Sequence, residues 1–291
     1  MNLRHYIYDN HWTLGFIEQP LEEFIANGLG EVHWMPNPYR NRWYADPFIL
    51  DVMDDRLIVL VEEFYDPIHR GRLSRLTIDR KSYKLLQIDP FLELPTHLSF
   101  PAIRRVGDKV YIYPENGNAG TLDLYEYNPE TNECKKVEQL VNAPLADAIW
   151  TDLFGKDMIF TTHQPTHNGN VLDVYEKEDG KFLLKGEVTF PANTARNAGD
   201  WFQVDGKIYR PAQDCSGRYG GAIIIQEVSR DADGTFHFSE VSRISEHWHS
   251  YDIGCHTFNH HKGVSVIDVN GFRRPWLAKP MAGMTKIRRG R

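Results

Sequence analysis

Five times along this chain a turn-forming pair leads into a β-rich run, at steps of about 50 residues, the period of a propeller or solenoid. The pairs are Asp54-Asp55, Gly107-Asp108, Gly155-Lys156, Asp205-Gly206 and Lys262-Gly263. Between them lie short apolar or alternating runs, such as Leu57-Ile58-Val59-Leu60-Val61 and Val171-Leu172-Asp173-Val174-Tyr175, which read as strands. Long helical periodicity is absent, apart from one short candidate helix at 20–27. The expected fold is all-β, a single five-bladed β-propeller over residues 1–291. Its blades fall near 31–90, 95–141, 145–190, 195–245 and 250–275. The last unit has too few strands, and the N-terminal run at 11–18 supplies a missing one. Closing the ring in this way removes free sheet edges.

In such a blade the first strand lines the axis and the second returns antiparallel to it. The start of strand one and the end of strand two therefore open on the same face. Strand-one starts supply Asp46, Ser99, Asp147, Arg196-Asn197 and His256. Strand-two ends supply Glu62-Glu63, Glu115, His163 and Gln213-Asp214. Polar groups gathered near a core destabilise it unless they are paired or used, so a functional funnel is expected at this end. Aromatic residues make up 12% of the chain, which suits stacking on sugar faces as well as β-sheet packing. Tyr219 is open to both readings.

Composition narrows the partners. The net charge is −7, which does not fit a nucleic-acid footprint; the basic run Lys286–Arg291 reads as a solvated tail. Three widely spaced cysteines, Cys134, Cys215 and Cys255, fit a reducing compartment better than a disulfide framework. No stretch has signal-peptide or membrane-span character, and a cytoplasmic location is expected. His247, His249, His256, His260 and His261 match no tight zinc-ligand spacing, and Cys215 lacks an evident base partner.

Two family resemblances follow from these residues. Trp43-Tyr44-Ala45-Asp46-Pro47-Phe48-Ile49 resembles the opening of blade one in glycoside hydrolase family 43, and Leu145-Ala146-Asp147-Ala148 resembles its blade-three acid. That resemblance implies Asp46 as general base, Asp147 as the residue that orients the acid, and His256 beside a calcium ion in the central channel. The family's general acid is a Glu that opens blade four. Here Asn197 stands at that place with Arg196 beside it, which leaves Glu115 or Asp214 as the substitute donor.

The runs Arg196-Asn197-Ala198-Gly199, Tyr209-Arg210-Pro211-Ala212-Gln213-Asp214-Cys215-Ser216 and His256-Thr257-Phe258-Asn259 are similar to the N-terminal module of glucosamine inositolphosphorylceramide transferases. By strand position Glu63 and His163, and on these resemblances Arg196, Arg210, Gln213, Asp214 and Tyr219, are candidate substrate contacts. The arginines suit an anionic group, because their forks match carboxylates and phosphates. Two functions stay open: a hydrolase-like enzyme acting on a glycan or glycoconjugate, and a non-catalytic carbohydrate-binding or accessory module in glycan assembly. A protein-docking propeller would not need acids and arginines concentrated in its funnel.

Overall fold

The structure is a computed structural model that describes residues 10–245, 248, 251–274 and 276–278. The tail 286–291, His247 and His249 lie outside the described residues. The chain opens with β1 (Asn10–Glu18), helix α1 (Leu21–Asn27) and β2 (His33–Trp34). Blade one follows as β3 (Arg42–Val52), β4 (Arg56–Tyr65), β5 (Arg70–Asp79) and β6 (Leu85–Leu92). Blade two is β7 (Ser99–Val106), β8 (Lys109–Glu115), β9 (Leu122–Asn128) and β10 (Glu133–Val141). Blade three is β11 (Leu145–Thr151), β12 (Met158–His163), β13 (Val171–Glu178) and β14 (Lys181–Thr189). Blade four is β15 (Phe202–Val204), β16 (Lys207–Asp214), β17 (Ala222–Arg230) and β18 (Phe236–Ser245), and the chain returns through β19 (Phe258–His261) and β20 (Val264–Phe272). These strands form five four-stranded sheets, the five-bladed propeller that the repeat predicts.

Burial follows position in the blade. Every residue of the inner strand β11 is buried, whereas the outer strand β14 is mostly exposed. An inner strand is covered on both faces and so reads as an unbroken apolar run, interrupted only where a polar side chain is placed at the axis.

The closing blade differs in one respect from expectation. Its order is β19-β20-β1-β2, so two N-terminal strands complete it, not one. β1 pairs with β20 from Asn10↔Phe272 to Glu18↔Val264. His33-Trp34, expected in blade one, pairs instead with Gly15 and Phe16. The inner strand of this blade is short, only Phe258–His261. The N–H groups of His256 and Thr257 turn away from the ladder to the carboxylate of Asp268. Helix α1 forms where expected; its one buried residue, Phe24, stacks on Phe258 at 4.9 Å. Blades four and five meet at Gly199, where an added Cβ would sit 1.9 Å from the carbonyl oxygen of Phe258. Only glycine allows that approach.

Candidate functional site

The inner strands of blades one to three share a local device. Asp46, Phe100 and Asp147 all take left-handed backbone conformations, with φ of 50°, 46° and 47°. Each sits at a break in register between its first and second strand. Asp tolerates this region better than most residues, and a bulge re-aims a side chain toward the axis. The N–H that each bulge frees is taken by a carboxylate from the neighbouring blade. Asp46 N donates to Asp268 Oδ2 at 2.9 Å, Phe100 N to Asp46 Oδ2 at 3.0 Å, and Asp147 N to Glu115 Oε2 at 3.2 Å. The acids at the axis thus join the blades as well as facing the funnel.

Two cations sit among them. Arg196 is buried and bonds Asp147 through Nε at 2.6 Å and Nη2 at 3.2 Å. It also reaches Glu115 Oε2 at 3.2 Å and Asn168 Oδ1 at 2.9 Å. His256 stacks on Trp12 with ring centres 4.0 Å apart. Its Nδ1 lies 2.6 Å from Asp268 Oδ2, and its Nε2 lies 3.8 Å from Asp46 Oδ1. Burial pulls the His256 pKa down, but Asp268, Asp46 and Asp147 outweigh it and push the value up to about 9. His256 is therefore an imidazolium at neutral pH. Burial drives Asp46 the other way for a carboxyl, up to about 7, against the pull of His256. Burial likewise holds Glu115 well above its ordinary value, since Arg196 is already engaged at closer range by Asp147.

An open cleft of about 400 Å³ lies over this network. Asp46, Glu62, Glu115, Arg196, Tyr219 and His256 line it together with Trp12, Trp43, Phe64 and His97. Asp147 is beneath, bound to Arg196. Tyr219 is half exposed and lies over the Arg196 guanidinium, 5.2 Å from its ring centre. So Asp46, Glu115, Arg196, Tyr219 and His256 are brought together, with Asp147 as support.

The remaining candidates are placed elsewhere. Glu63 is fully buried inside blade one, bonded to Arg42, Arg72 and Ser74; its neighbour Glu62 faces the cleft. His163 is held by Asp173 of its own blade at 2.6 Å. Arg210 is buried within blade four between Phe190 and Phe238 and bonds Asn197, Gln226 and the carbonyls of Thr194 and Ala195. Burial alone lowers its pKa to about 9. Gln213 is buried and donates to Asp147 Oδ2 at 2.6 Å, so it positions that acid from behind. Asp214 pairs with Arg243 at 2.7 Å in a separate surface depression. Among the cleft residues Trp12, Phe64 and His97 went unnoticed in the sequence, as did Asp268 behind His256. Asp268 does carry a signal, as the one acid in the apolar run Val264–Val269.

Residues 34–269 match the family model described as glucosamine inositolphosphorylceramide transferase 1, N-terminal. The chain belongs to that family. It is 26% identical over 258 residues to glucosamine inositolphosphorylceramide transferase 1 of Oryza sativa subsp. indica, covering 76% of this chain and 34% of the relative. The Arabidopsis thaliana protein of the same name is 26% identical over 202 residues, 65% of this chain and 26% of its own. The chain thus spans about a third of the length of these curated relatives. Among solved structures, RS223-β-xylosidase superposes with a TM-score of 0.54 at 13% identity, covering 71% of this chain and 78% of that one. An exo-β-1,3-galactanase from Phanerochaete chrysosporium gives 0.53 at 10% identity, covering 77% and 58%. At these identities the likeness concerns the fold.

In this member of the family the blade-four position is structural. Asn197 is fully buried; its amide donates to the carbonyls of Asp147 and Phe160, both at 2.8 Å, and its oxygen accepts from Arg210. Asn197→Ala is expected to destabilise the fold by about 2 kcal/mol, the loss for stranding buried partners. Denaturant unfolding at matched m-value checks this.

The cluster Asp46, His256 and Asp268 brings three possible ligand atoms within 4.8 Å, but its chemistry does not fit calcium. Calcium takes six to eight oxygens. Both oxygens of Asp268 already accept N–H donors, and both of Asp46 are engaged by Thr257 and Phe100. The imidazolium itself supplies the positive charge that Asp268 faces at 2.6 Å.

Proposed function

We propose that the cleft at the head of the propeller axis recognises a saccharide, with Asp46 at its centre. The observation that carries this reading is an open cleft in which aromatic faces (Trp12, Trp43, Tyr219) border buried carboxyl acceptors. Sugars ask for that combination, since their C–H faces stack on rings while their hydroxyls donate to acids. The names of the relatives concern transfer of glucosamine to an inositolphosphorylceramide, and those of the fold neighbours hydrolysis of galactan and xylosides. Both lend a carbohydrate context.

Recognition is favoured over inverting hydrolysis by the residue at the expected acid position. An inverting hydrolase needs a protonated carboxyl there, and Asn197 is instead buried and bonded to the carbonyls of Asp147 and Phe160. Burial pushes both Asp46 and Glu115 upward. Asp46, at about 7, is divided between its forms at neutral pH. The hydrolytic reading keeps one support, because Glu115 and Asp46 open on the same cleft. In it Glu115 protonates the leaving oxygen while Asp46 takes a proton from the attacking water, and turnover climbs as pH passes about 7.

A glycan array and a panel of aryl glycosides, run on the wild type and Asp46→Asn, separate these readings. Recognition predicts binding without turnover, weakened about tenfold or more by Asp46→Asn, the loss of one charge-assisted hydrogen bond. Turnover that Asp46→Asn abolishes would hand the site to hydrolysis. A variant that binds glycans as tightly as the wild type would remove Asp46 from the site.

A further inference from the structure

The aromatic rings around the cleft fall into two groups. Trp12 lies flat on the His256 imidazole and Tyr219 over the Arg196 guanidinium, so both cover cations of the floor. Trp43 and Phe64 are laid against each other instead, with ring centres 4.8 Å apart and planes 6° apart. Both are half-buried, and both line the cleft.

Strand pairing explains why such a pair forms in blade one. Ala45 of β3 pairs with Glu62 of β4 just before the bulge at Asp46, and Trp43 pairs with Phe64 further toward the head of the axis. Alternation puts all four on one face. The matching pairs before the bulge are Ser99 with Glu115 in blade two and Ala146 with Thr162 in blade three. Two residues beyond, where blade one has Phe64, blade two has Gly117 and blade three has Gln164. Of these three blades only the first carries a ring there. The neighbouring strand extends the strip. Phe64 pairs with Gly71 of β5, where an added Cβ would collide with the carbonyl oxygen of Leu98 and meet His97 Cε1 at 2.9 Å. The missing side chain lets the link between blades one and two bring His97 in, with its ring centre 6.4 Å from that of Phe64. The Gly71 N–H donates to His97 Nδ1 at 2.9 Å, and Nε2 faces Glu62 Oε1 at 3.1 Å, so the ring is held from both sides. The rings of Trp43, Phe64 and His97 thus run outward from the axis across the head of blade one, starting on the strand that carries Asp46.

We infer that the head of blade one is a second sugar subsite, so that the ligand is a chain of at least two rings, one held at Asp46 and the next against Trp43, Phe64 and His97. This rests on the saccharide reading above and adds the length and direction of the ligand. At about 400 Å³ the cleft falls in the range of roughly 300–1,000 Å³ that holds ligands larger than a single sugar ring. The C–H face of a pyranose is apolar and carries partial positive charge, which suits the electron-rich faces of these rings. Glu62 lies two residues before Phe64 on the same face of β4 and also lines the cleft. It is an acceptor for hydroxyls that a second sugar carries and a flat aryl or acyl group lacks. Blades two to four offer Glu115, Asn168 and Arg196 to the cleft rather than a stacked ring pair, so the chain leaves Asp46 toward blade one.

The test is a length series, read by calorimetric titration of the full chain. One set is methyl β-xyloside, xylobiose and xylotriose; the other is methyl β-galactoside with the β-1,3-linked galactose disaccharide and trisaccharide. A glycan that the array ranks above both supplies a third set. In a set that binds, the disaccharide is expected to be about tenfold tighter than the monosaccharide, the gain from covering one more ring face. Trp43→Leu, which keeps apolar bulk, should bring that ratio close to unity while thermal unfolding shows the fold intact; Phe64→Leu is the second variant if that one unfolds. Asp46→Asn should weaken both lengths and preserve their ratio. Equal affinity for one ring and two, or a ratio that survives both leucine variants, overturns the subsite and leaves the saccharide reading standing. A 4-nitrophenyl monosaccharide that gains more than the disaccharide overturns the second sugar in favour of an apolar group. Binding of no member of any set, with a blank array, overturns both readings.

Discussion

Asp268→Ala is expected to lower the melting temperature by roughly 10 °C, from a loss of about 4 kcal/mol in a chain of this size. The reason is the number of groups that one carboxylate satisfies. Asp268 is fully buried and accepts the N–H groups of His256, Thr257 and Asp46 at 3.0, 2.9 and 2.9 Å. It also faces the His256 imidazolium at 2.6 Å. Alanine strands three buried donors and a buried cation where blades five and one meet. The loss should depend on pH with a definite sign. The folded-state pKa of His256 is raised from 6.5 to about 9, so its contribution is fully present below 6.5 and disappears as pH rises through 9. That contribution is on the order of 3 kcal/mol. The gap between wild type and Asp268→Ala should therefore be widest at pH 6 and narrow toward pH 9.5. Thermal unfolding followed by circular dichroism across that range is the measurement. A shift under about 3 °C, or one independent of pH, would show that Asp268 is not the keystone of this joint.

The architecture was legible because its signals are local. Turn pairs such as Asp205-Gly206 adopt the positive φ that their composition anticipates, and inner strands are apolar enough to stand out. His33-Trp34 was not legible as part of the last blade, because a two-residue strand has no periodicity and its partner lies earlier in the chain. The site divides in the same way. Asp46 and Asp147 were visible because an acid opening an inner strand is unusual, and the bulge that aims them prefers Asp. Phe100-Pro101 occupies the same bulge in blade two with no polar signal at all. Alternation along β4 sets Glu62 and Glu63 on opposite faces, but nothing local says which face is the cleft. That depends on Arg42 and Arg72 closing on Glu63. The run Arg210–Asp214 misled for a related reason. Its polar residues are needed, but Arg210 and Gln213 serve the packing of blade four and the seating of Asp147, contacts that form only once the sheets are side by side. Asp268 was passed over because it lies mid-strand, away from the strand ends where a propeller's funnel residues are sought.

Arg196→Ala is the complementary case, and its pH dependence should run the opposite way. Arg196 is the only partner carrying a positive charge that touches Asp147 among the described residues, and it touches Glu115 as well. Removing it leaves Asp147, which is 1% exposed, with Gln213 as its side-chain donor and Glu115 with the Asp147 N–H. Stranding a buried carboxylate in this way costs about 3–5 kcal/mol. Here the stranded groups are acids, and acids can escape the penalty by taking protons. At pH 8 the variant must either keep two buried carboxylates close together or bind protons against a low proton concentration, so the loss should be full. At pH 5 protonation is cheap, and the difference from wild type should shrink. Asp268→Ala behaves as the removal of an anion from a cation, most harmful at low pH; Arg196→Ala behaves as the removal of a cation from anions, most harmful at high pH. Measuring both variants at pH 5, 7 and 9 tests the whole arrangement, because the two curves of lost stability must cross. Parallel curves would mean that the cations and acids at the axis are not paired as Arg196 with Asp147 and His256 with Asp268. The cleft built on those two pairs would then lose its floor.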